Sequence, residues 1–337
     1  MIDPLRVVAL GGGTGLSTLL RGLKHYADPL AEVPVDITAI VTVTDDGGSS
    51  GRLRRDFDVL PPGDIRNCMV ALSEDAGLLS KLFQYRFNSG HGLRGHSFGN
   101  LFLTALSHIT GDFHEAVRQS GEVLAIRGKI YPSTISNCQL EAELVDGSIV
   151  KGESTISRSR RRIKRIRLNP SRCRPVPETL EAIANADLIT LGPGSLFTSV
   201  IPNLLVGGIP AAIERSPAVK AYFVNLMWQP GETSEFRASD HLRSILRHAP
   251  KLKIDYAVLN SRPIRSALRA RYARQAAKPV ENDADAIRKL GIEIVMSDLL
   301  EESEKVRHNP AIIAGVALGL ANEGRRRRMA QSQPDQQ

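Results

Sequence analysis

A chain of 337 residues with 42% hydrophobic and 24% charged residues has ordinary globular composition, and its length allows either one large α/β domain or one domain with a subdomain inserted. The formal charge is +8, yet aromatics are only 5% and no zinc-finger or RNP-like aromatic spacing accompanies the basic runs, so these read as solvated faces and nucleic-acid binding is not expected. The longest apolar stretch, 200–213, carries Pro202, Asn203 and Pro210 and is too short for a bilayer, and the start lacks the cationic and cleavable segments of a secretory signal. A cytoplasmic protein without membrane insertion is expected, with Cys68, Cys138 and Cys173 as separate thiols rather than disulfide or zinc partners.

The first predicted strand, 6–10, runs into Gly11-Gly12-Gly13-Thr14-Gly15 and then a helix over 16–24. Glycines let the backbone turn sharply and approach a ligand, and the helix start aims free N–H groups and a positive dipole end at an anion. A phosphorylated small molecule is the natural occupant. The third glycine of the dinucleotide fingerprint falls on Leu16 and the Gly-Lys of a P-loop is missing, so neither NAD binding nor ATP hydrolysis follows from the turn. A second strand, 36–43, ends in Thr44-Asp45-Asp46-Gly47-Gly48-Ser49-Ser50-Gly51. Asp45 and Asp46 could hold a hard divalent cation, accept ribose hydroxyls, or simply shape the loop as an Asx-turn.

Pro61-Pro62-Gly63-Asp64-Ile65-Arg66-Asn67 reads as a rigid turn feeding a helix over about 64–73 with Asp64 as its cap, while Arg66 and Asn67 could reach a phosphate. Gly95-His96-Ser97-Phe98-Gly99-Asn100 opens another helix, 98–109, capped by Ser97, leaving His96 and Asn100 as pocket candidates. From 128 to 168 the apolar period changes to two, and Asp146-Gly147 between alternating runs signals a hairpin, so an antiparallel insertion is expected there. The strand 186–191 then ends in Gly192-Pro193-Gly194-Ser195 ahead of a helical stretch toward Leu205. Further strands are predicted at 221–227, 254–259 and 292–296, followed by a helix over 310–321. Residues 1–324 form one domain in this reading, and the basic 325–337 a disordered tail.

Strands alternating with helices predict a doubly wound, mostly parallel α/β sheet with the antiparallel hairpin region inserted. Ligands of such sheets gather outside the carboxyl ends of the strands, where the glycine turn, the acidic loop and the Gly192–Ser195 bend all fall. No Ser-His-Asp or Cys-His arrangement and no G-x-S-x-G is present, so covalent hydrolysis has no support and a binding pocket is the stronger expectation.

These phrases resemble the YvcK-like gluconeogenesis factor family, a branch of the CofD-like proteins. Added to them are Gly152-Glu153-Ser154-Thr155-Ile156, Pro202-Asn203-Leu204-Leu205-Val206 and Gln229-Pro230-Gly231-Glu232-Thr233, so the likeness runs in order from Val7 to about Gly319. The resemblance implies a Rossmann-like cytoplasmic protein that binds UDP-N-acetylglucosamine and is required for cell shape and wall synthesis during gluconeogenic growth, with no established reaction. It implies phosphate contacts from Gly11 to Gly15 and Gly192 to Ser195, a cleft lined by Asp45, Asp46 and Asn203, and nucleotide-sugar contacts from Tyr272 and Arg307. The related enzymes of the superfamily imply an alternative, a metal-dependent transferase joining a phospholactyl-type group to a deazaflavin, with a metal such as Mg on Asp45 and Asp64. A dinucleotide such as NAD is a third occupant compatible with the cleft. A regulatory protein partner of unknown identity and a homo-oligomer fit the same picture. Trp228 and Phe197 depart from the branch's usual threonine and tyrosine, which bears on the fine shape of the ligand site.

Overall fold

Strand β1, Leu5–Gly11, is buried on both faces, with Val7 and Ala9 in one apolar layer and Val8 and Leu10 in the other. Two-sided burial requires a strand apolar at nearly every position, covered by helices above and below. The computed structural model describes residues 3–28, 30–74 and 77–332. In it β1 is an interior strand of a seven-stranded parallel sheet. On one side lie β2 (Val35–Val41) and β3 (Lys129–Pro132). On the other lie β7 (Leu188–Leu191), β8 (Val219–Phe223), β9 (Tyr256–Asn260) and β10 (Glu293–Ser297), all parallel.

One face is packed by α1 (Gly13–Leu23), α3 (Gly63–Leu72) and the C-terminal helix Pro310–Ser332, with α2 (Gly48–Phe57), α4 (Leu78–Gln84) and α5 (Phe98–Thr110) at its side. The other face carries a three-stranded antiparallel sheet of β4 (Gln139–Leu144), β5 (Ile149–Lys151) and β6 (Ile163–Asn169). Asp146-Gly147 does turn the β4–β5 hairpin, pairing Glu141 with Lys151 and Glu143 with Ile149. The insertion begins later than expected. Residues 129–132 form β3 at the edge of the parallel sheet, in register from Thr38↔Lys129 to Val41↔Pro132, because a buried Ile130 flanked by exposed or half-exposed neighbours fits a sheet edge as well as a hairpin.

The helical stretch expected after Ser195 toward Leu205 is present, wound as a π-helical turn, Leu196–Val200, followed by a four-residue α segment, Ile201–Leu204, with Pro202 near its start. A further expectation is corrected. The basic segment is not a disordered tail over 325–332: the C-terminal helix continues to Ser332, and Arg325 and Arg328 each pair with the fully buried Asp187 at 2.9 Å. Residues 333–337 lie outside the described residues.

The basic run beside β6 lies on an exposed face, where Arg161 pairs with Asp146 and Lys164 and Arg167 with Glu143. All three cysteines are free and buried. No single helix among the described residues is long and apolar enough to cross a membrane; Leu196–Leu204 and Ile209–Arg215 reach that length only as a pair bent by 75°, and most of their apolar side chains are core.

Candidate functional site

In chain order the sheet runs outward from β1 through β2 to β3 on one side and from β7 through β8 and β9 to β10 on the other. The switch point is therefore between β1 and β7, where a crevice opens above the strand ends. Both loops that leave it are the predicted glycine-rich ones, and they touch. A Cβ added to Gly15 would lie 2.5 Å from the Pro193 carbonyl oxygen and 2.7 Å from the Gly194 nitrogen. Only glycine permits that approach.

A cavity of about 420 Å³ opens at this contact, walled by Gly12 to Gly15 at the α1 start, by Pro193, Gly194 and Ser195, and by Tyr272 and Arg307. Gly13 takes φ +60°, the left-handed turn by which β1 passes into α1. Tyr272 is half-buried against the core, and its hydroxyl accepts Val306 N–H at 3.1 Å. That bond pins the hairpin of β11 (Leu300–Glu302) and β12 (Val306–His308), which carries Arg307. The two residues named only by resemblance thus belong to one device.

The rim at Ser195 is braced by a polar relay. Gln229 Nε2 donates to Ser195 Oγ at 2.5 Å, Asn225 Nδ2 to Gln229 Oε1 at 3.2 Å, and the Tyr222 hydroxyl meets Asn225 Oδ1 and His241 Nδ1. Burial pulls His241 down to about 4, so the imidazole is neutral and the relay carries no net charge. Sequence reasoning passed over Thr18, Ser199, Asn225 and His308, which also line the cavity. The Gln229–Thr233 phrase was the available signal for this wall.

The acidic residues gather on the α3 side. Asp64 is not a cap: the helix begins after Pro62 without a side-chain cap, and the Asp64 carboxyl turns back to accept Gly13 N–H, close enough that a Cβ on Gly12 would sit 2.5 Å from its Oδ2. Asp45 forms the Asx-turn, accepting Gly47 N–H at 2.8 Å, and Asp46 accepts Ser154 N–H at 2.8 Å, tying the acidic loop to the insertion. Burial first, then the Asp45 charge, raises Asp64 to about 7. Burial likewise raises Asp45, and raises Glu153 well above the carboxylate range with help from Asp45 and Asp64. Glu232, beside Ser157 and Thr198, is raised to about 7 by burial, and its Oε2 has no partner among the described residues.

These carboxyls keep protons in the folded chain that the unfolded chain has already released, between about pH 4 and pH 7. Stability is therefore expected to fall as pH rises through that window, by up to about 1.4 kcal/mol per pH unit for each such group, and to level off above it. Urea midpoints measured across the window should flatten in Asp64→Asn and in Glu232→Gln; unchanged slopes in both would show that neither titrates there.

The remaining candidates support the site from behind. Gly11 is the last residue of β1, and Asn203, fully buried, donates to its carbonyl at 3.1 Å and to Ser199 O at 2.7 Å; Asn203 thus clamps the glycine turn from below and does not line the cleft. Thr44 is buried against Thr42, His96 Nδ1 meets Ser49 Oγ at 3.0 Å, and Asn100 Nδ2 reaches Ser50 Oγ at 3.4 Å, so the last two hold the start of α2 rather than the cavity wall. Ser97 caps α5 as expected and also accepts Arg66 Nη1 at 2.6 Å. Gly192 opens the bend with φ +76°. Arg66 and Asn67 line an adjoining cavity.

No three His, Cys, Asp or Glu side chains among the described residues are disposed to hold a metal ion by themselves. Asp45 and Asp64 still suit a hard cation of the kind that takes one or two carboxylates and completes its shell with ligand phosphate and water, since Asp64 sits beside the glycine turn and the Asp45 charge adds to its proton affinity.

Residues 7–300 match the sequence model of the CofD family, described as 2-phospho-L-lactate transferase CofD. The gluconeogenesis factor of Bacillus subtilis is 46% identical over 319 residues, covering 94% of this chain and 98% of its own. That of Halalkalibacterium halodurans is 48% identical over 314 residues, covering 93% and 95%. A crystal structure of a protein from Bacillus halodurans superimposes with a TM-score of 0.90 at 47% identity, covering 94% of this chain and all of that one. Fold, motifs and relatives agree: the chain belongs to the CofD family, among its gluconeogenesis factors.

Proposed function

We propose that the cleft between β1 and β7 binds UDP-N-acetylglucosamine and that the protein is a cytoplasmic regulator, reporting the level of this wall precursor to carbon partitioning and cell shape through a protein partner. One arrangement carries the reading: the glycine turn and the Pro193–Gly194 backbone in contact at the switch point, with Tyr272 and Arg307 on the wall of the same cavity. The first-turn N–H groups of α1 suit a diphosphate, the tyrosine ring a uracil or sugar face, and the guanidinium a phosphate fork. Asp64 beside this cradle would repel an anion if fully charged. Its raised proton affinity softens that repulsion near neutral pH.

Titration calorimetry with UDP-N-acetylglucosamine tests this. The ligand is expected to release or absorb heat and to raise the melting temperature by mass action, and Arg307→Ala to weaken affinity roughly tenfold to a hundredfold, the value of a charge-assisted phosphate contact. Neither heat nor stabilisation would reject the reading.

The carboxyls of raised proton affinity favour a second reading, a metal-dependent transferase of the kind the family description names. There Asp45 and Asp64 would hold magnesium against the ligand's phosphate, the cation supplying charge neutralisation, while the glycine turn orients the phosphate. Asp45→Ala would then abolish binding that the regulator reading leaves intact. Product formed from a deazaflavin acceptor with magnesium, detected by mass spectrometry, would decide for the enzyme.

A further inference from the structure

Beside the cleft, between α1, α3 and α4, lies a second cavity of about 420 Å³. It is lined by Arg21, Lys24, Arg66, Lys81, Arg86 and Arg307, and by no carboxylate. Two hydroxyls, Thr14 and Ser17, and two of the cations, Arg21 and Lys24, recur at intervals of three and four, along one face of α1 and its C-cap. Among the described residues none of the six cations is in an ion pair. Elsewhere the chain pairs its arginines readily, as Arg118 with Glu115 and Glu122, or Arg265 with Glu302.

Crowding of like charge is felt. Burial, then Arg21 and Arg127, lowers the proton affinity of Lys24, whose ammonium donates to the neutral Ser73 carbonyl. Arg66 spends its terminal nitrogens on Ser97 and Asn67, and its Nε is buried with no acceptor among the described residues. A cluster so arranged is relieved by an anion. The volume suits a small molecule, and no aromatic ring lines the walls to stack on a base.

We infer that this cavity is a second anion site, for a phosphorylated small molecule without a nucleobase, and that it shares Thr14 and Arg307 with the cleft. One guanidinium then serves both sites, so occupancy of one changes affinity at the other. The anion site stands on its own lining; only the coupling rests on the nucleotide-sugar reading.

Inorganic pyrophosphate is the probe, titrated into the full chain at ionic strength held constant with sodium chloride. Lys81 and Arg86 are exposed and lie outside the cleft lining, so Lys81→Ala/Arg86→Ala removes charge from this cavity alone. Saturable pyrophosphate binding is expected, weakened about tenfold or more by the double substitution, with affinity for UDP-N-acetylglucosamine changed by less than about threefold. Arg21→Ala, also exposed, is expected to act in the same direction and guards against a folding artefact. Pyrophosphate binding that is unaltered in both variants, or stabilisation no greater than from the chloride control, overturns the site. If the nucleotide sugar fails to bind while the variants still weaken pyrophosphate, the anion site stands and the nucleotide-sugar reading falls.

Discussion

Replacing Gly15 with alanine is expected to abolish measurable ligand binding in the cleft and to destabilise the fold by roughly 1–3 kcal/mol, the cost of overpacking a close contact. The added methyl would sit 2.5 Å from the Pro193 oxygen, 2.6 Å from its carbonyl carbon and 2.7 Å from the Gly194 nitrogen. All three are backbone atoms, which cannot rotate aside as a side chain does, so one of the two loops has to move. Those loops are the two walls of the switch-point crevice, and a displacement of about 1 Å carries the anion-facing N–H groups out of position. At Gly12 the obstacles are Asp64 Oδ2 and Thr42 Cγ2, ends of side chains, so Gly12→Ala is expected to spare the fold more and to disturb Asp64 instead. Denaturant midpoints and calorimetry on the two variants separate these outcomes. Undiminished affinity in Gly15→Ala would remove the glycine turn from the site.

Ending the chain at Gly324 is expected to cost about 3–5 kcal/mol, the scale for stranding a buried charge. Asp187 is fully buried at the entry to β7 and accepts Arg6 N–H at 2.9 Å; its charge is balanced by Arg325 and Arg328, both beyond the cut. Arg327, which pairs with Asp255 at 3.0 Å, would go with them. Arg325→Ala alone should cost less, because Arg328 remains beside the carboxylate. The measurement is again the unfolding midpoint. A truncated chain as stable as the whole would mean that these arginines contribute nothing.

The place of this basic segment was hidden from local reading. A run of four arginines followed by a Gln-rich end looks solvated, and the partner that gives Arg325 a place is 138 residues away in sequence. A similar separation hid the role of Asn203, which supports Gly11 from 192 residues further along. Short-range signals fared better, because the Asp146-Gly147 hairpin and the Ser97 cap depend on neighbours within a few residues. The Asp64 cap is an exception, since its carboxyl turns away from its own helix start to accept Gly13 N–H. The glycine turn and the Gly192–Ser195 bend were legible because β-to-α junctions of a parallel sheet all open on one side, so topology alone brought them together. Thr44, His96 and Asn100 were legible as polar residues near that rim but not in their actual supporting roles, since residues in a loop or at the first turn of a helix show no period from which a facing direction can be read.

The interior position of β1, between β2 and β7, also sets an order of assembly. Its partner on one flank, β2, is translated soon after it, with Leu5 opposite Val35, but its other flank waits for β7, where Val7 meets Leu188. A nascent chain therefore carries an open apolar sheet edge for roughly 150 residues of synthesis, about ten to thirty seconds at ribosomal speed. The ligand crevice lies on that same seam, so it comes into being only when the two halves of the chain close on each other.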